Sequence, residues 1–345
     1  MIHLTYSSKI YILTPRNYAT GGIELCYQFA DYVSQQGIDC YMVFFNGKQE
    51  LYKDNPVDNY RRYSHIKGIN HIEDSVKNLL ILPESFPTFL KSFNSIQIAF
   101  WWMSVDNYFS RASFQEYFLF NLKCKRYRRA LSAIKHFRER PKTSFLKLMK
   151  KNETRIVHLY QSEYANIFLK SHDIYNTLPL GDYINTDLLS DEIDISHKEN
   201  IILYNPKKGY SFTKKVIRVL PEYKFIALKG FANSQLHELY KKAKVYIDFG
   251  NHPGKDRIPR EAAMGGCCVV VGKEGSAKYF EDVPISEIYK FEKNNLNLPK
   301  IRNIIVDLIV NYEKRVGDFS FYRKRIMREK KEFYDEIDNF LQFIQ

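Results

Sequence analysis

The chain has 345 residues, 45% of them hydrophobic and 26% charged, and carries a formal net charge of +13. That length exceeds one ordinary core and predicts two domains, while the composition excludes a disordered or collagen-like chain. The positive charge favours polyanionic partners: nucleic acid, anionic lipid or phosphorylated small molecules. The five cysteines (Cys26, Cys40, Cys124, Cys267, Cys268) show no CxxC spacing, which points to a reducing compartment. No run approaches the ~20 apolar residues of a membrane span, and no secretory leader pattern opens the sequence. A cytoplasmic protein is expected.

In chain order, residues 10–14 (IYILT) form an apolar strand. A loop follows, and Gly21-Gly22 opens a helix whose apolar positions Ile23, Cys26, Tyr27, Ala30 and Val33 fall near helical spacing, ending at Gly37. Residues 40–45 (CYMVFF) give the next strand. Strand, glycine loop, helix, strand is one βαβ unit of a parallel sheet, which places ligands beyond the carboxyl ends of its strands. The glycine pair serves either a tight turn or a substrate contact. Strands at 79–82 and 96–103 end beside Glu84 and Asp106. Both acids therefore lie at the edge where such a fold places chemistry. Asp106 is the first catalytic candidate, for the acid that addresses the acceptor, and Glu84 its nearest rival; the alternative for Asp106 is a cap on a helix starting at Asn107.

From about 109 to 152 the character changes. Lys123, Lys125, Arg126, Arg128, Arg129, Lys135, Arg138 and Arg140 follow closely, then Lys142, Lys147, Lys150 and Lys151, with Glu139 the one acid between Lys123 and Lys151. Tyr117, Phe120, Leu131, Ile134 and Phe145 lead into or interleave this run. A basic amphipathic insertion suits an anionic membrane surface; nucleic-acid binding or a solvated insertion are the alternatives.

A strand at 156–159 and a helix after Ser162 close the first half, and 179–189 reads as the passage between domains. The second half alternates again: strand 201–204, the loop Asn205-Pro206-Lys207-Lys208-Gly209, a helix to Leu220, strand 224–228, a helix at 234–243. The stretch VYIDFGNHPGKDRIPREAAMGGCCVVV (245–271) follows as strand, loop, helix from near Pro259, and buried strand. Lys255, Asp256, Arg257, Arg260 and Glu261 crowd the start of that helix. Cations there do little for helix stability but suit an anion, because free N–H groups and fixed charge converge. Residues 327–344 form a charged amphipathic helix.

Several of these segments, taken together, resemble the GT-B glycosyltransferases, especially the family-4-like nucleotide-sugar enzymes of bacterial surface-polysaccharide synthesis. GGIELCYQFADYVSQQGIDCYMV resembles their glycine loop, first helix and second strand; YNPKKG, KGFANSQLHELYKKAKVYIDFG and REAAMGGCCVVVG resemble successive parts of their donor domain. The resemblance implies an α/β fold of two Rossmann-like domains facing across a cleft. Residues 1–180 would be the acceptor domain carrying the basic insertion, 181–325 the donor domain, and 326–345 a helix packing back on the first domain. It further implies a nucleotide-sugar donor and a lipid-linked or glycan acceptor, with lipopolysaccharide or capsule synthesis as the setting. Lys208, Lys255, Arg257 and Arg260 are the candidates for the diphosphate, Glu261 for the ribose, and Gly21 and Gly22 for a donor-side contact. No metal or other cofactor is implied, nucleic acid is not favoured, and the inner membrane face is the expected location.

The chain departs from the family at three places. Pro253 stands where a second Glu often precedes the helix Glu by eight positions, HPGKDRIP replaces the usual Glu-Gly-Phe-Gly run, and Ser104 to Asp106 occupy the place of an N-domain His. An inactive scaffold of the same fold is therefore an alternative to the transferase.

Overall fold

A computed structural model describes residues 2–124, 126–135, 138, 140–184 and 193–344. Lys125 and Glu139 of the basic run, and part of the expected passage at 179–189, lie outside the described residues. The chain divides into two compact units: Met1–Gln161, Ala165–Gly181 and Phe333–Gln345 form unit 1, and Ser162–Tyr164 with Asp182–Glu332 form unit 2.

Unit 1 is built on a sheet whose main strands are β1 (Ile10–Pro15), β2 (Cys40–Phe45), β5 (Leu79–Pro83), β6 (Gln97–Trp102), β7 (Ile156–Tyr160) and β8 (Thr177–Pro179). The order β2-β1-β5-β6-β7-β8 is parallel throughout. Two short strands, β3 (Leu51–Tyr52) and β4 (Lys67–Gly68), pair with β2. Every residue of β5 and β6 is buried, which is why these strands read as unbroken apolar runs rather than as alternation. Between β1 and β2 runs α1 (Gly21–Gln35), capped by Thr20, whose side chain accepts from the Ile23 N–H. Three helices of the basic insertion, α3 (Phe114–Lys123), α4 (Tyr127–Lys135) and α5 (Phe145–Lys151), follow α2 (Val105–Arg111). After β7 comes α6 (Glu163–Lys170).

Unit 2 has five parallel strands in the order β10-β9-β11-β12-β13. They are β9 (Glu199–Tyr204), β10 (Lys224–Ala227), β11 (Ala243–Asp248), β12 (Cys268–Gly272) and β13 (Lys290–Phe291). The helices α7 (Tyr210–Arg218), α8 (Asn233–Lys242), α9 (Arg257–Met264), α10 (Leu298–Val310) and α11 (Tyr312–Arg315) connect or follow them. Cys267 and Cys268 are buried in this core, as their apolar setting predicts. The last helix, α12 (Ser320–Ile344), belongs to unit 2 as far as Glu332 and to unit 1 from Phe333. Within unit 1 its Phe333 stacks on Trp101 and its Tyr334 on Tyr32, while Glu336 accepts from the Gly181 N–H at 2.7 Å.

Among the element boundaries that differ from expectation are the starts of α9 and α12. α9 starts at Arg257, not near Pro259; a proline is tolerated anywhere in a first turn, because none of the first four N–H groups has an intrahelical partner. α12 starts seven residues before Met327. Its first turns are dense in charge, and only the buried Tyr322 and Ile326, four apart, mark the inward face.

Candidate functional site

In an open parallel sheet the crevice opens where the strand order reverses. In unit 2 that point lies between β9 and β11, so the loops 205–209 and 249–256 define it. They are held together by backbone approach. Gly209 has φ +68° and heads α7, and a Cβ there would lie 2.1 Å from the Phe249 carbonyl oxygen. Asn205 donates to Asp248 at 3.4 Å, and the Gly250 N–H donates to the same carboxylate at 2.7 Å.

The charges are paired within this frame. The Lys208 ammonium contacts the Asp256 carboxylate, donates to the Asn251 carbonyl at 3.1 Å and lies 3.8 Å from Asp248. His252 is buried between the same two acids, with Nδ1 2.7 Å from Asp256 and Nε2 3.9 Å from Asp248. Neither ring nitrogen is aligned for a hydrogen bond. Burial would raise the Asp256 carboxyl, but His252 and Lys208 outweigh it and hold it down at about 2. Asp248, His252 and Asp256 bring ligand atoms within 4.8 Å of one another, a set that could hold a metal ion. The Lys208 ammonium already sits among them, so these carboxylates hold a cation of the protein's own.

Glu261, in α9, accepts from the Tyr240 hydroxyl at 3.3 Å and has Arg257 Nε at 3.6 Å. Lys255 pairs with Glu329 at 2.9 Å. Arg260, expected at the diphosphate, is a correction: its guanidinium is fully buried and committed to structure. It donates to Glu329 at 2.8 Å and Asp182 at 2.6 Å, and to the carbonyls of Lys255 and Asp256. Five of the residues singled out in the sequence, Lys208, Lys255, Arg257, Arg260 and Glu261, thus lie in the loops and helix of one switch point. The acids that neutralise them were not foreseen. Asp256 was visible among the loop charges, whereas Asp182 and Glu329 are 78 and 69 residues from Arg260 in the chain.

Unit 1 has its own reversal, between β1 and β5. Gly21 and Gly22 begin α1 after β1, and a Cβ on Gly22 would lie 3.3 Å from the Met103 sulfur. Glu84 follows β5 and is buried. It accepts from the Met103 N–H at 3.1 Å and the Ser85 hydroxyl at 2.9 Å, while burial pushes its carboxyl up to about 7. Asp106 does not cap. Ser104 caps α2, accepting from the Asn107 N–H, and Asp106 in the first turn forms an ion pair with Arg126 at 2.6 Å.

The basic insertion separates into two groups of cations. Arg126 pairs with Asp106, and Arg140 donates to the Phe109 and Ala112 carbonyls with its guanidinium 3.6 Å above the Tyr117 ring. These are internal. Lys123, Arg128, Arg129, Lys135 and Arg138 are exposed. On α4, Ala130 and Ala133 face inward, while Tyr127, Leu131 and Ile134, at helical spacing, are 59%, 63% and 53% exposed. The outer face of α4 therefore carries apolar groups among cations. Among the described residues no helix is long and apolar enough to cross a membrane.

No protein-family model matches the chain, and no curated protein does. Solved structures do. HepE of Anabaena in complex with UDP is similar at a TM-score of 0.59 and 11% identity, over 97% of this chain and 99% of that one. Sucrose-phosphate synthase of Thermosynechococcus elongatus gives a TM-score of 0.62 at 12% identity, over 97% and 98%. WaaG, a glycosyltransferase involved in lipopolysaccharide biosynthesis, gives 0.52 at 12% identity, over 97% and 99%. These neighbours are GT-B glycosyltransferases, and the chain has their fold.

Proposed function

We propose that the protein transfers a sugar from a nucleotide donor to a lipid-linked or polysaccharide acceptor, in bacterial lipopolysaccharide or capsule synthesis. The observation that carries this reading is the unit 2 switch point, where Lys208 and Gly209 after β9 meet the start of α9 with Glu261. HepE, of the same fold, has been solved with UDP and with UDP-glucose. Breaking a sugar–phosphate bond leaves charge on the departing diphosphate, and a fixed ammonium with helix N–H groups stabilises it without reorganising during the reaction. In this reading Lys208 supplies the cation and no metal takes part, while Glu261, braced by Tyr240, accepts from the ribose hydroxyls. A thermal-shift screen of nucleotide-sugars tests it, since a ligand at 100 times its Kd stabilises the fold by about 2.7 kcal/mol. Stabilisation by no nucleotide, at any concentration, would remove the proposal.

Glu261→Ala should weaken nucleotide binding by roughly 1.5–3 kcal/mol, the scale of a hydrogen bond to a charged group. Calorimetric affinity equal to that of the unsubstituted protein takes Glu261 out of the site.

An anionic membrane surface is the partner that the outer face of α4 suits. Near an anionic surface each cation contributes about 1 kcal/mol, falling away within a Debye length. Tyr127, Leu131 and Ile134 add an apolar stripe of the kind that enters the headgroup boundary. We expect the protein to sediment with vesicles containing phosphatidylglycerol. Replacing Lys123, Arg128, Arg129 and Lys135 together by Gln should release it, with Leu131→Ser weakening what remains at high salt. Sedimentation indifferent to salt and to both changes counts against a membrane partner.

A further inference from the structure

The Lys208–Asp256 pair is an unusual resident for a site that takes an anion. By its backbone Asp256 is the N-cap of α9, yet its carboxylate makes no capping bond. One reason lies in the sequence: the third helical residue is Pro259, which has no N–H to offer. The carboxylate turns instead to Lys208. His252, fully buried, sets Nδ1 against it at 2.7 Å from behind, with no hydrogen bond of its own to either ring nitrogen. A negatively charged group is thus held against the ammonium, at the mouth of a helix N-terminus, with a buried imidazole facing it.

This pair also differs from its neighbours in reach. The side chains of Lys208 and Asp256 keep 26% and 22% exposure. Arg260 and its acids keep 0%, 9% and 1%. A solute can compete for the first pair and not for the second.

We propose that Asp256 is an internal anion that occupies the Lys208 ammonium until a diphosphate displaces it, so that donor affinity is set by competition with this carboxylate. The inference rests on the reading of the switch point as a donor site. On binding, diphosphate oxygens replace those of Asp256 at the ammonium. Without a diphosphate the two loops stay tied, because Asp256 bridges from the start of α9 to the loop after β9. Asp256 is therefore a residue that tunes affinity, and its removal should strengthen binding, the reverse of what loss of a ligand contact would do.

The test measures inorganic pyrophosphate and UDP by calorimetry against the full chain and three variants: Asp256→Asn, Asp256→Ser and Lys208→Met. Asp256→Ser retains a capping oxygen and covers the case in which the amide variant does not fold. Either Asp256 variant should bind pyrophosphate about two- to fivefold more tightly, the scale of a partly exposed ion pair. Lys208→Met should bind it more weakly. In the Lys208→Met background Asp256→Asn should change nothing, since the competed cation is gone. Pyrophosphate affinity that is unchanged or weaker in both folded Asp256 variants overturns the proposal. So does a gain that persists without Lys208, which would mark a general charge effect. UDP separates this from the donor reading. Tighter pyrophosphate with no UDP binding to any form leaves the competition standing and removes the donor. Equal UDP binding with and without Asp256 keeps the donor and removes the competition.

Discussion

Replacing Arg260 by Met should destabilise unit 2 by about 3–5 kcal/mol, the cost of stranding a buried charge partner. Burial alone would pull the guanidinium down; Asp182 and Glu329 outweigh it and keep it charged. In the variant both carboxylates lose this partner inside the core, where Glu329 is 1% exposed. Lys255, 2.9 Å from Glu329, offsets part of that charge. The Lys255 and Asp256 carbonyls lose their donor as well, so the start of α9 loosens and nucleotide affinity falls with stability. Urea unfolding read by circular dichroism measures the first effect. Lys255→Met makes the contrast: Glu329 keeps Arg260, so the loss should be about 1.5–3 kcal/mol, that of a single hydrogen bond to a charged group. Replacing Arg260, Asp182 and Glu329 together by apolar residues of similar volume should recover most of the stability, as buried ion clusters elsewhere have shown. Recovery of stability without recovery of nucleotide binding would show that the cluster positions the loop. A loss under 1 kcal/mol in Arg260→Met would mean that the guanidinium is not paired as described.

The same cluster shows what a sequence yields and what it withholds. Strands such as Cys40–Phe45 and Leu79–Pro83 were legible because a parallel strand buried on both faces is an unbroken apolar run. The helix after Gly21-Gly22 was legible because its buried positions repeat with helical spacing. Those signals are local. Charge pairing is not: the crowd of cations at 255–260 announces an anion site equally well whether the anion is a ligand or the protein's own carboxylates. Here the carboxylates of Glu329 and Asp182 pair with Lys255 and Arg260. Arg260 belongs to the core, Lys208 stays within reach of solvent, and only spatial neighbours distant in sequence tell them apart. Asp106 carries the same lesson. Its place after an apolar strand suggested a free acid or a cap, but Ser104 supplies the cap and Arg126, 20 residues on, takes the carboxylate. Glu84 differed from it in sequence only by its neighbours, yet it alone of the two is fully sequestered.

Glu84→Gln should stabilise the protein at pH 8 by about 3 kcal/mol and cut turnover about 10²–10⁴-fold, the contribution of a general base. The stability sign follows from linkage. The Glu84 carboxyl titrates at about 7 in the folded chain against a reference value of 4.5. Between those values the native state holds a proton that the unfolded chain has released, so stability falls as pH rises through that window and is fully present only below it. Each pH unit costs about 1.4 kcal/mol. Gln cannot ionise. Its carbonyl can accept from Met103 and its amide can donate to the Ser85 oxygen, so the contacts persist without the slope. The advantage of the variant should vanish below pH 4.5 and grow up to pH 7. In the proposed reading, a carboxyl that burial raises to about 7 at the reversal of the unit 1 sheet would serve as the base on an acceptor hydroxyl. Asp106, tied to Arg126, is placed behind it in this role, and Asp106→Asn should lower turnover by no more than a few-fold. A pH-dependent stability gain with full turnover retained in Glu84→Gln would reduce Glu84 to a clamp between β5 and β6. A loss of turnover with nucleotide affinity intact would instead show a residue that costs the fold stability at working pH and is retained for the chemistry.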